Sequence, residues 1–366
     1  MPGMSLARRN LVQDKTRLSL SVAGVALAIM LILILTGFAS GISLQLSRYL
    51  DHAPGSVVLV QSGSQGNSSV LPAETVNAVR RVAGVASAVP VISQYAVLDL
   101  GQSKQFAVVV GYDAAQGGGP WALREGRLPA ADDEVVLDAL LADRHGVRVS
   151  DEFGLMGQTF KVVGLSAGTT TWMLGYVFMR LDAAQRLFGT PSAVSLVLVA
   201  PASGVSPEEM RSRLIGIAGA DALLKSDLIA TTQRTYLSVL GPILDLIAAI
   251  ASVVGTLVVG MVVYTATVER QREYGVLKAV GARNRVLYRV VATQALAAAL
   301  AGSILGVGLA LGAAQLIMAL RPQFLITVEP TATLLAVAIG LGMALLAALV
   351  PARMLARLAP ADVFRR

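Results

Sequence analysis

The sequence predicts an α-helical membrane protein with four transmembrane helices and an α+β extracytoplasmic domain inserted between helices 1 and 2. Four runs of residues contain no Asp, Glu, Lys or Arg, namely 18–47, 246–268, 290–320 and 330–352. Each is long enough for a bilayer-spanning helix, which needs about 20 apolar residues. The stretch between the first two runs is polar and alternates short helix and strand signals. Basic residues concentrate beside the apolar runs, as membrane insertion requires.

The distribution of charge predicts the side of the membrane on which each segment lies. Residues 1–17, 269–289 and 353–366 together carry a net charge of +10, whereas the rest of the chain carries −3. Basic segments next to membrane helices remain in the cytoplasm, so both termini are expected inside and the large domain outside. The same distribution argues against nucleic-acid binding, because no basic patch with interleaved aromatic residues is present. Anionic headgroups of the lipid bilayer are the expected partners of these cations.

The amino-terminal segment has two interpretations. Residues 4–17 place leucines on one helical face and cations on the other, which predicts an interfacial helix on the inner leaflet; a solvated basic tail is the alternative. The first apolar run also resembles the core of a secretory signal, but its 30 residues exceed the usual 7 to 15 or so of such a core. An uncleaved anchor is therefore expected.

These observations divide the chain into nine segments. In order they are a cytoplasmic interfacial helix (1–17), transmembrane helix 1 with its extension (18–47), the extracytoplasmic domain (48–238), transmembrane helix 2 (239–268), a basic cytoplasmic loop (269–289), transmembrane helix 3 (290–320), a short external loop (321–329), transmembrane helix 4 (330–353) and a cytoplasmic tail (354–366).

Within the extracytoplasmic domain, apolar periodicity and turn residues predict short helices and strands. The predicted strands are Ser56–Val60, Val89–Leu100, Gln105–Tyr112, a hairpin over Phe153–Leu165, and Ala193–Ala200. Helices are predicted at Pro72–Val82 and Asp133–His145, the second favoured by acidic residues at its start, and helix N-caps at Asp182 and Ser206.

The most informative stretch is Glu269 to Ala282, ERQREYGVLKAVGA, a charged segment between two membrane helices. A short helix there would present charges beside the apolar residues Val276 and Leu277, and so offer both ionic and hydrophobic contacts to a cytosolic groove. Gly275 and Gly281 would permit close approach or a sharp turn. A positive loop without a partner is the alternative reading.

The membrane helices contain glycines four residues apart, at Gly37 and Gly41, Gly302 and Gly306, and Gly308 and Gly312. Such spacing lets helix backbones approach closely in lipid, so these residues are predicted to pack helices together. The four runs have no ionisable residue in their middle. An ion or proton pathway is therefore not expected, since such pathways usually use intramembrane ionisable groups.

The segment SAGTTTWMLGYVFM, residues 166–179, combines flexible small residues with large apolar ones. Aromatic and methionine side chains supply adaptable contact area at binding surfaces. Contact with an external substrate or partner is predicted for Trp172, Met173, Leu174 and Tyr176. The alternative is a buried strand with a glycine bulge at Gly175.

The sequence lacks the motifs of several kinds of catalytic and metal-binding site. There is no G-x-x-x-x-G-K-[ST] phosphate loop and no G-x-S-x-G elbow. The two histidines lie in separate elements without metal-ligand spacing, and the chain has no cysteine. The protein is therefore expected to be neither an enzyme nor a metal-binding protein.

The charged stretch, continued as ERQREYGVLKAVGARNRVLYRVVATQALAAALAGSILGVGLA, and the terminal APADVFRR resemble the permeases of the MacB/FtsX/LolCDE-type ABC transporters, the type VII or mechanotransmission family. LARRNLVQDKTRLSLSVAGVALA is similar to their first segment. WALREGRLPAADDEVVLDALLADRHGVRVSDEFGLMGQTFKVVGL looks like their MacB-like periplasmic core domain. The external domain is larger than that of a typical FtsX, which weakens the case for a role confined to cell-wall hydrolases.

The resemblance implies a permease subunit in a bacterial cytoplasmic (inner) membrane. It implies a separate ABC-type ATP-binding subunit, acting as a dimer, which holds the ATP and magnesium; this chain binds no cofactor itself. A second permease copy or paralogue is expected, and a periplasmic adaptor or other extracytoplasmic protein is a further candidate partner. The residues matching the family's ATPase-coupling helix are Glu269, Arg270, Arg272, Glu273, Gly275, Leu277, Lys278 and Gly281.

Two functions follow from the resemblance. The first is ATP-driven export or extraction of an apolar or amphipathic substrate, in which ATP hydrolysis moves the extracytoplasmic domain. The alternative is a transmembrane signal relay that controls an extracytoplasmic partner such as a cell-wall hydrolase.

Overall fold

The computed structural model describes residues 15–64, 68–101, 103–171, 174–269, 271–280 and 283–357, so most of the predicted interfacial helix lies outside the described residues. The chain forms two compact units. The membrane unit contains the chain up to Gly41, Val239–Arg321, and the chain from Leu325 onward. The external unit contains Ile42–Ser238 and Pro322–Phe324.

The helices and strands alternate through the external unit and are followed by long helices. The helices are α1 (Lys15–His52), α2 (Ala73–Arg80), α3 (Ala139–His145), α4 (Leu181–Leu187), α5 (Pro207–Leu214), α6 (Lys225–Glu269), α7 (Gln271–Ala279), α8 (Asn284–Leu320) and α9 (Pro330–Arg357). The strands are β1 (Val57–Gln61), β2 (Leu71–Pro72), β3 (Val85–Asp99), β4 (Lys104–Tyr112), β5 (Leu123–Gly126), β6 (Glu134–Asp138), β7 (Glu152–Leu155), β8 (Gln158–Ser166), β9 (Gly175–Arg180), β10 (Ala193–Val194), β11 (Leu196–Pro201) and β12 (Ala220–Leu224).

Four of these helices, α1, α6, α8 and α9, are long and apolar enough to cross a membrane. The predicted fold class of four membrane helices with an inserted α+β domain is confirmed. Helices α1 and α6 are longer than the apolar runs that predict them, at 38 and 45 residues. At about 1.5 Å per residue, both exceed the bilayer's hydrocarbon thickness of about 30 Å. The last turns of α1 and the first turns of α6 belong to the external unit.

The membrane unit has a core of small and branched side chains. Val25, Ile29 and Leu33 of α1 are buried with Val259 of α6 and Val291 of α8. Alanines of α8 and α9 complete the cluster. Large apolar residues such as Leu257 and Leu334 remain exposed on the outside of the unit, where hydrocarbon is the expected solvent.

The external unit is built on a mixed ten-stranded sheet, in which nine strands follow the order β12-β1-β11-β3-β4-β9-β6-β8-β5 and β7 pairs with β3 and β8. The pairs β4–β9 and β6–β8 are parallel, and the other pairs are antiparallel. Strands β2 and β10 form a separate two-stranded sheet.

The alternation of side chains along the strands divides the external core between the two faces of the sheet. In β1, Val57 and Leu59 pack with helices α2 and α5, whereas Val58 and Val60 pack toward the end of α1 and the start of α6. A third cluster lies against α3 and α4. The face that carries Val58 and Val60 is called the stalk face below, because α1 and α6 cover it.

Several predicted elements are confirmed within a few residues. They are β1, α2, β3, β4 and the β7–β8 hairpin, whose turn places Met156 and Gly157 at positive φ. The predicted cap at Ser206 is also confirmed, since its side chain accepts the N–H of Glu209 at 3.1 Å. Strands β5 and β12 have no counterpart in the predictions.

The predicted helix over Asp133–His145 is wrong in its first half. Residues Glu134–Asp138 form strand β6, which pairs with β8 and β9, and only Ala139–His145 is helical. Val135, Val136 and Leu137 are fully buried. A strand buried on both faces reads as a continuous apolar run, which periodicity does not distinguish from a buried helix.

The acidic residues at the start of this predicted helix do not stabilise a helix N-terminus as predicted, because the helix begins only at Ala139. Glu134 pairs with Arg127, and Asp132 lies 3.0 Å from Arg180 and 2.5 Å from Arg186. The helix N-cap is Asp138, whose carboxylate accepts the N–H of Leu141 at 3.0 Å. These acids therefore join neighbouring segments rather than stabilise a helix start.

Two further predictions are wrong in detail. Helix α4 has Arg180 as its N-cap, without a side-chain cap bond, and Asp182 lies in the first turn; the helix follows β9 with no intervening loop. The predicted strand Ala193–Ala200 is two strands. Ser195 separates them and donates its N–H to the carbonyl of Val91 at 2.8 Å, which directs β10 and β11 to different sheets.

Candidate functional site

The charged segment between α6 and α8 contains the short helix α7, from Gln271 to Ala279. Helix α6 ends at Glu269, immediately before it, and α8 begins at Asn284 after a cap at Arg283. Two long apolar helices are thus joined by one short polar helix. Its sequence is QREYGVLKA, which has charged residues at both ends.

Tyr274 fixes α7 to the membrane unit. Its side chain is only 4% exposed and belongs to the same core cluster as Leu287, Val290 and Val291 of α8. Gly275, the next residue, is also buried. Tyr274 was absent from the predicted site residues: an aromatic side chain within a charged segment is its local signal, but its burial depends on α8. One face of α7 is therefore held against the core.

The opposite side of α7 is exposed and mixed in character. Arg272 and Val276 are four residues apart on α7. Val280 directly follows the helix and donates its N–H to the carbonyl of Val276 at 3.1 Å, so the three residues follow one helical face, and all are exposed. Val276 is 45% exposed and Val280 is 84% exposed. Glu273 is also exposed. We call Arg272, Glu273, Val276 and Val280 the α7 face.

The remaining predicted coupling residues are placed as follows. Glu269 is exposed at the end of α6, and Lys278 is half-buried near the end of α7; both make polar or electrostatic contacts. Arg270, Gly281 and the side chain of Leu277 lie outside the described residues.

The predicted glycine pairs fall into two groups. A Cβ on Gly302 would lie 2.7 Å from the Cβ of Val25, and one on Gly306 would lie 2.7 Å from the carbonyl oxygen of Ala26, so both glycines adjoin α1. Gly37 and Gly41 adjoin the segment before α9: the carbonyl of Gly37 accepts the N–H of Thr327 at 3.0 Å. In contrast, among the residues that the structure describes, a Cβ on Gly308 or Gly312 would meet no atom within 4 Å beyond the backbone of its own helix.

The predicted external contact residues lie around the start of β9. Trp172 and Met173 are outside the described residues, Leu174 is half-buried, and Tyr176 is 6% exposed. The Tyr176 ring stacks on Tyr49 of α1, with centroids 5.8 Å apart, and burial raises the pKa of its hydroxyl. Tyr176 is therefore part of the stalk face.

The segment before Leu174 is held by a buried carboxylate. Asp138 accepts the hydroxyls of Thr169 at 2.6 Å and Thr170 at 3.0 Å, and Ser166 bonds Thr169 at 2.7 Å. Burial raises the pKa of Asp138, and the bonds from Thr169, Leu141 and Thr170 oppose that rise. The loop leading to β9 is thus anchored by hydrogen bonds to the end of β6.

The comparisons with known proteins identify both parts of the chain. Residues 18–217 match the model of the MacB-like periplasmic core domain, and residues 246–360 match that of the FtsX-like permease C-terminal. The chain belongs to the MacB/FtsX-type ABC transporter permeases. The segment that contains α7 lies within the FtsX-like match, and the external unit lies largely within the MacB-like match. The permease is a membrane protein with a large extracytoplasmic domain, and its family implies an ATP-binding partner.

The permease is similar to several curated proteins along much of its length. It is 26% identical over 310 residues to an uncharacterized ABC transporter permease of Mycobacterium tuberculosis (strain ATCC 25618 / H37Rv), covering 83% of this chain and 84% of that protein. A Mycobacterium bovis permease is 26% identical over 306 residues. The macrolide export ATP-binding/permease protein MacB of Agrobacterium fabrum is 30% identical over 144 residues, which are 39% of this chain and 22% of MacB.

Two solved structures are similar to about half of this chain. The match to the periplasmic region of MacB from Actinobacillus actinomycetemcomitans covers 50% of this chain and 95% of that structure, with a TM-score of 0.39 and 14% identity. The match to the extracellular domain of the transporter YknZ covers 46% of this chain and 100% of that domain, with a TM-score of 0.38 and 13% identity.

Proposed function

We propose that this permease couples ATP hydrolysis in a separate ABC-type ATP-binding subunit to movement of its external unit, and that this movement exports or extracts an apolar or amphipathic substrate. The observation that carries the proposal is the α7 face, in which exposed valines lie among charged residues on a helix anchored by Tyr274. A helix with an apolar stripe and flanking charges is suited to docking in a groove of a partner protein. ATP and magnesium would be bound by that partner and not by this chain.

The orientation that this proposal requires is the one that charge predicts. The segment 269–289 carries six basic residues and two acids, so the positive-inside rule supports a cytoplasmic α7, cytoplasmic termini and an external unit outside the inner membrane. An ATPase in the cytoplasm would then have access to α7.

The long helices support a mechanical role. Helices α1 and α6 are each assigned as one continuous helix, although their residues belong to both units. Helix α1 contains no proline and is a rigid element, so a displacement at one end can be carried along it; α6 contains Pro242 near the start of its membrane part, where a bend is expected. The complex would contain two permease copies or paralogues, because ABC-type ATP-binding subunits act as dimers in the family that this chain resembles.

Introducing a charge at an apolar position of α7 tests the proposal. Val276→Asp would place a carboxylate against the apolar part of a docking groove, at a cost of several kcal/mol if it is unpaired, and Leu277→Asp is measured beside it. We expect the ATP-binding subunit to be lost on purification, with the amount of permease in the membrane unchanged.

Val286→Asp is the matched control, because Val286 is 44% exposed and Val276 is 45% exposed, but Val286 lies in the first turn of α8. The control should retain the ATP-binding subunit. Full retention by all three variants, at normal membrane levels, would show that α7 is not the contact.

A further inference from the structure

The external unit contains a cavity of about 340 Å³ on the stalk face of the sheet. This volume falls within the range of about 300 to 1,000 Å³ that is usual for small-molecule sites. Its wall is mostly apolar and aromatic, with Tyr49, Tyr95, Tyr176 and Tyr236 among its lining residues.

The sheet and the two long helices each supply part of the wall. Val108, Tyr176 and Leu196 come from β4, β9 and β11 and are almost completely buried. Opposite them lie residues from the end of α1 and the start of α6, such as Leu50 and Leu228. The cavity is thus enclosed by the helical segments that continue into the membrane spans.

The polar groups of the cavity are hydroxyls. The Tyr95 and Tyr236 hydroxyls are 3.1 Å apart, which links β3 to α6. The Tyr49 hydroxyl donates to the carbonyl of Gly118 at 2.9 Å. Among the lining residues within the described part of the chain there is no Asp, Glu, Lys, Arg or His. A charged group in this cavity would have no counter-ion, at a large cost in desolvation, so the wall favours an uncharged ligand.

An exposed apolar strip continues from the cavity along the sheet. Val97 follows Tyr95 on the same face of β3, because side chains alternate along a strand, and Phe106 precedes Val108 on the same face of β4. Val97 and Phe106 are cross-strand partners, and they are 37% and 64% exposed. Tyr95 itself is 45% exposed. An elongated apolar ligand can therefore contact the cavity and this strip together.

We propose that the cavity binds the hydrocarbon chain of an uncharged amphipath, with a hydroxyl or ester head near Tyr95 and Tyr236 and the exposed strip as its approach. The inference rests on the proposed function in one respect: the bound amphipath is a substrate that the permease exports or extracts. Enclosure between the sheet, α1 and α6 would make its binding sensitive to any movement of those helices.

Photolabelling tests the cavity without the ATP-binding subunit. The full chain in lipid nanodiscs is irradiated with a diazirine-bearing monoacylglycerol, and labelled peptides are identified by mass spectrometry. We expect labels on peptides from β3, β9 and the start of α6, and competition by myristyl alcohol that is stronger than competition by myristate at pH 8.

Adjacent threonines of α6 provide the matched variants. Thr232 lines the cavity and is half-buried, whereas Thr231 is exposed and does not line it. Thr232→Trp should fill the cavity and abolish the labels on β3 and β9, while Thr231→Trp should label as the wild type does. Equal unfolding temperatures of the two variants would exclude misfolding as the cause.

Labelling that is absent from the wild type, or equal in the two variants, would overturn the inference. Either result leaves the α7 experiment unaffected, because that experiment measures association with the ATP-binding subunit. Failure at α7 with cavity labels that Thr232→Trp removes would, in turn, refute the coupling and not the site.

Discussion

Asp138 has two structural roles in the external unit. Its carboxylate caps α3 through the N–H of Leu141 and accepts the hydroxyls of Thr169 and Thr170. Asp138→Ala would remove the cap and leave buried hydroxyls without that acceptor. Such unsatisfied groups cost about 1 to 3 kcal/mol, so we expect a clear fall in the unfolding temperature of the external unit.

Tryptophan fluorescence measures this fall, because both tryptophans, Trp121 and Trp172, belong to the external unit. Asp143→Ala on the same helix is the control. Asp143 is exposed and pairs with Arg124, and an exposed pair contributes at most about 1 kcal/mol. An equal loss from both substitutions would contradict the assigned role of Asp138.

Glu134 gives a prediction about pH. Its bonds from Arg127 and from the N–H of Ala130 lower its pKa to about 2. The folded-state pKa is thus below the unfolded value of about 4.3, so the stabilisation is fully present above pH 4.3 or so and is lost as the pH falls toward 2. Glu134→Gln should reduce stability at neutral pH and remove this part of the acid dependence. The assignment is refuted if the free energies of unfolding of the wild type and of Glu134→Gln differ by the same amount from pH 6 to pH 2.5.

At the scale of elements, the glycines of α8 should behave differently according to their surroundings. Gly306→Ala would bring a Cβ to 2.7 Å from a backbone oxygen of α1, and such overpacking costs about 1 to 3 kcal/mol. Within the described part of the chain, Gly308→Ala meets open space, so it should preserve the fold. Thermal unfolding in nanodiscs compares the two, and equal stability would show that α1 yields to the added methyl group.

The same glycines allow a test of association. Because Gly308 and Gly312 face no described residue within 4 Å outside the backbone of their own helix, they are available to a second permease copy or paralogue. We expect Gly308→Leu to weaken crosslinking between copies while leaving the unfolding temperature unchanged. Undiminished crosslinking would remove Gly308 from the packing surface.

Sequence patterns predicted elements well where one local signal dominates. The Ser206 cap and the β7–β8 hairpin depend on neighbouring residues, and both are present. Strand β6 was missed because its buried valines are determined by pairing with β8 and β9, which are distant in the sequence. Tyr274 was missed for a similar reason, since its burial depends on α8.

For the whole molecule, the charge distribution predicts on which side of the membrane each segment lies. The chain has no cysteine, so single cysteines can be introduced without removing native ones. Cysteines at Ser64 and Ala131 should react with an impermeant thiol reagent in intact cells, because the external unit is expected outside. A cysteine at Asn284, the first residue of α8, should react only after lysis. Labelling of Asn284 from outside would reverse the orientation.

The family and the fold class were accessible from sequence, because apolar runs and the ERQREYGVLKAVGA segment are local and distinctive. The cavity was not, since its wall combines α1, α6 and four strands that meet only in the folded unit. Among the residues predicted for external contact, Leu174 and Tyr176 line this cavity, and their aromatic and apolar character was the available signal.

The most direct test of the central claim is site-specific photocrosslinking from the α7 face in living cells. With a photoreactive phenylalanine derivative at Val276 or Val280, we predict crosslinks to a protein whose sequence contains the phosphate loop of ABC-type ATPases. The same derivative at Met156, which is 51% exposed on the external unit, should give none. Crosslinks from Val276 and Val280 that contain no ATP-binding protein, in cells that express the intact permease, would contradict the account.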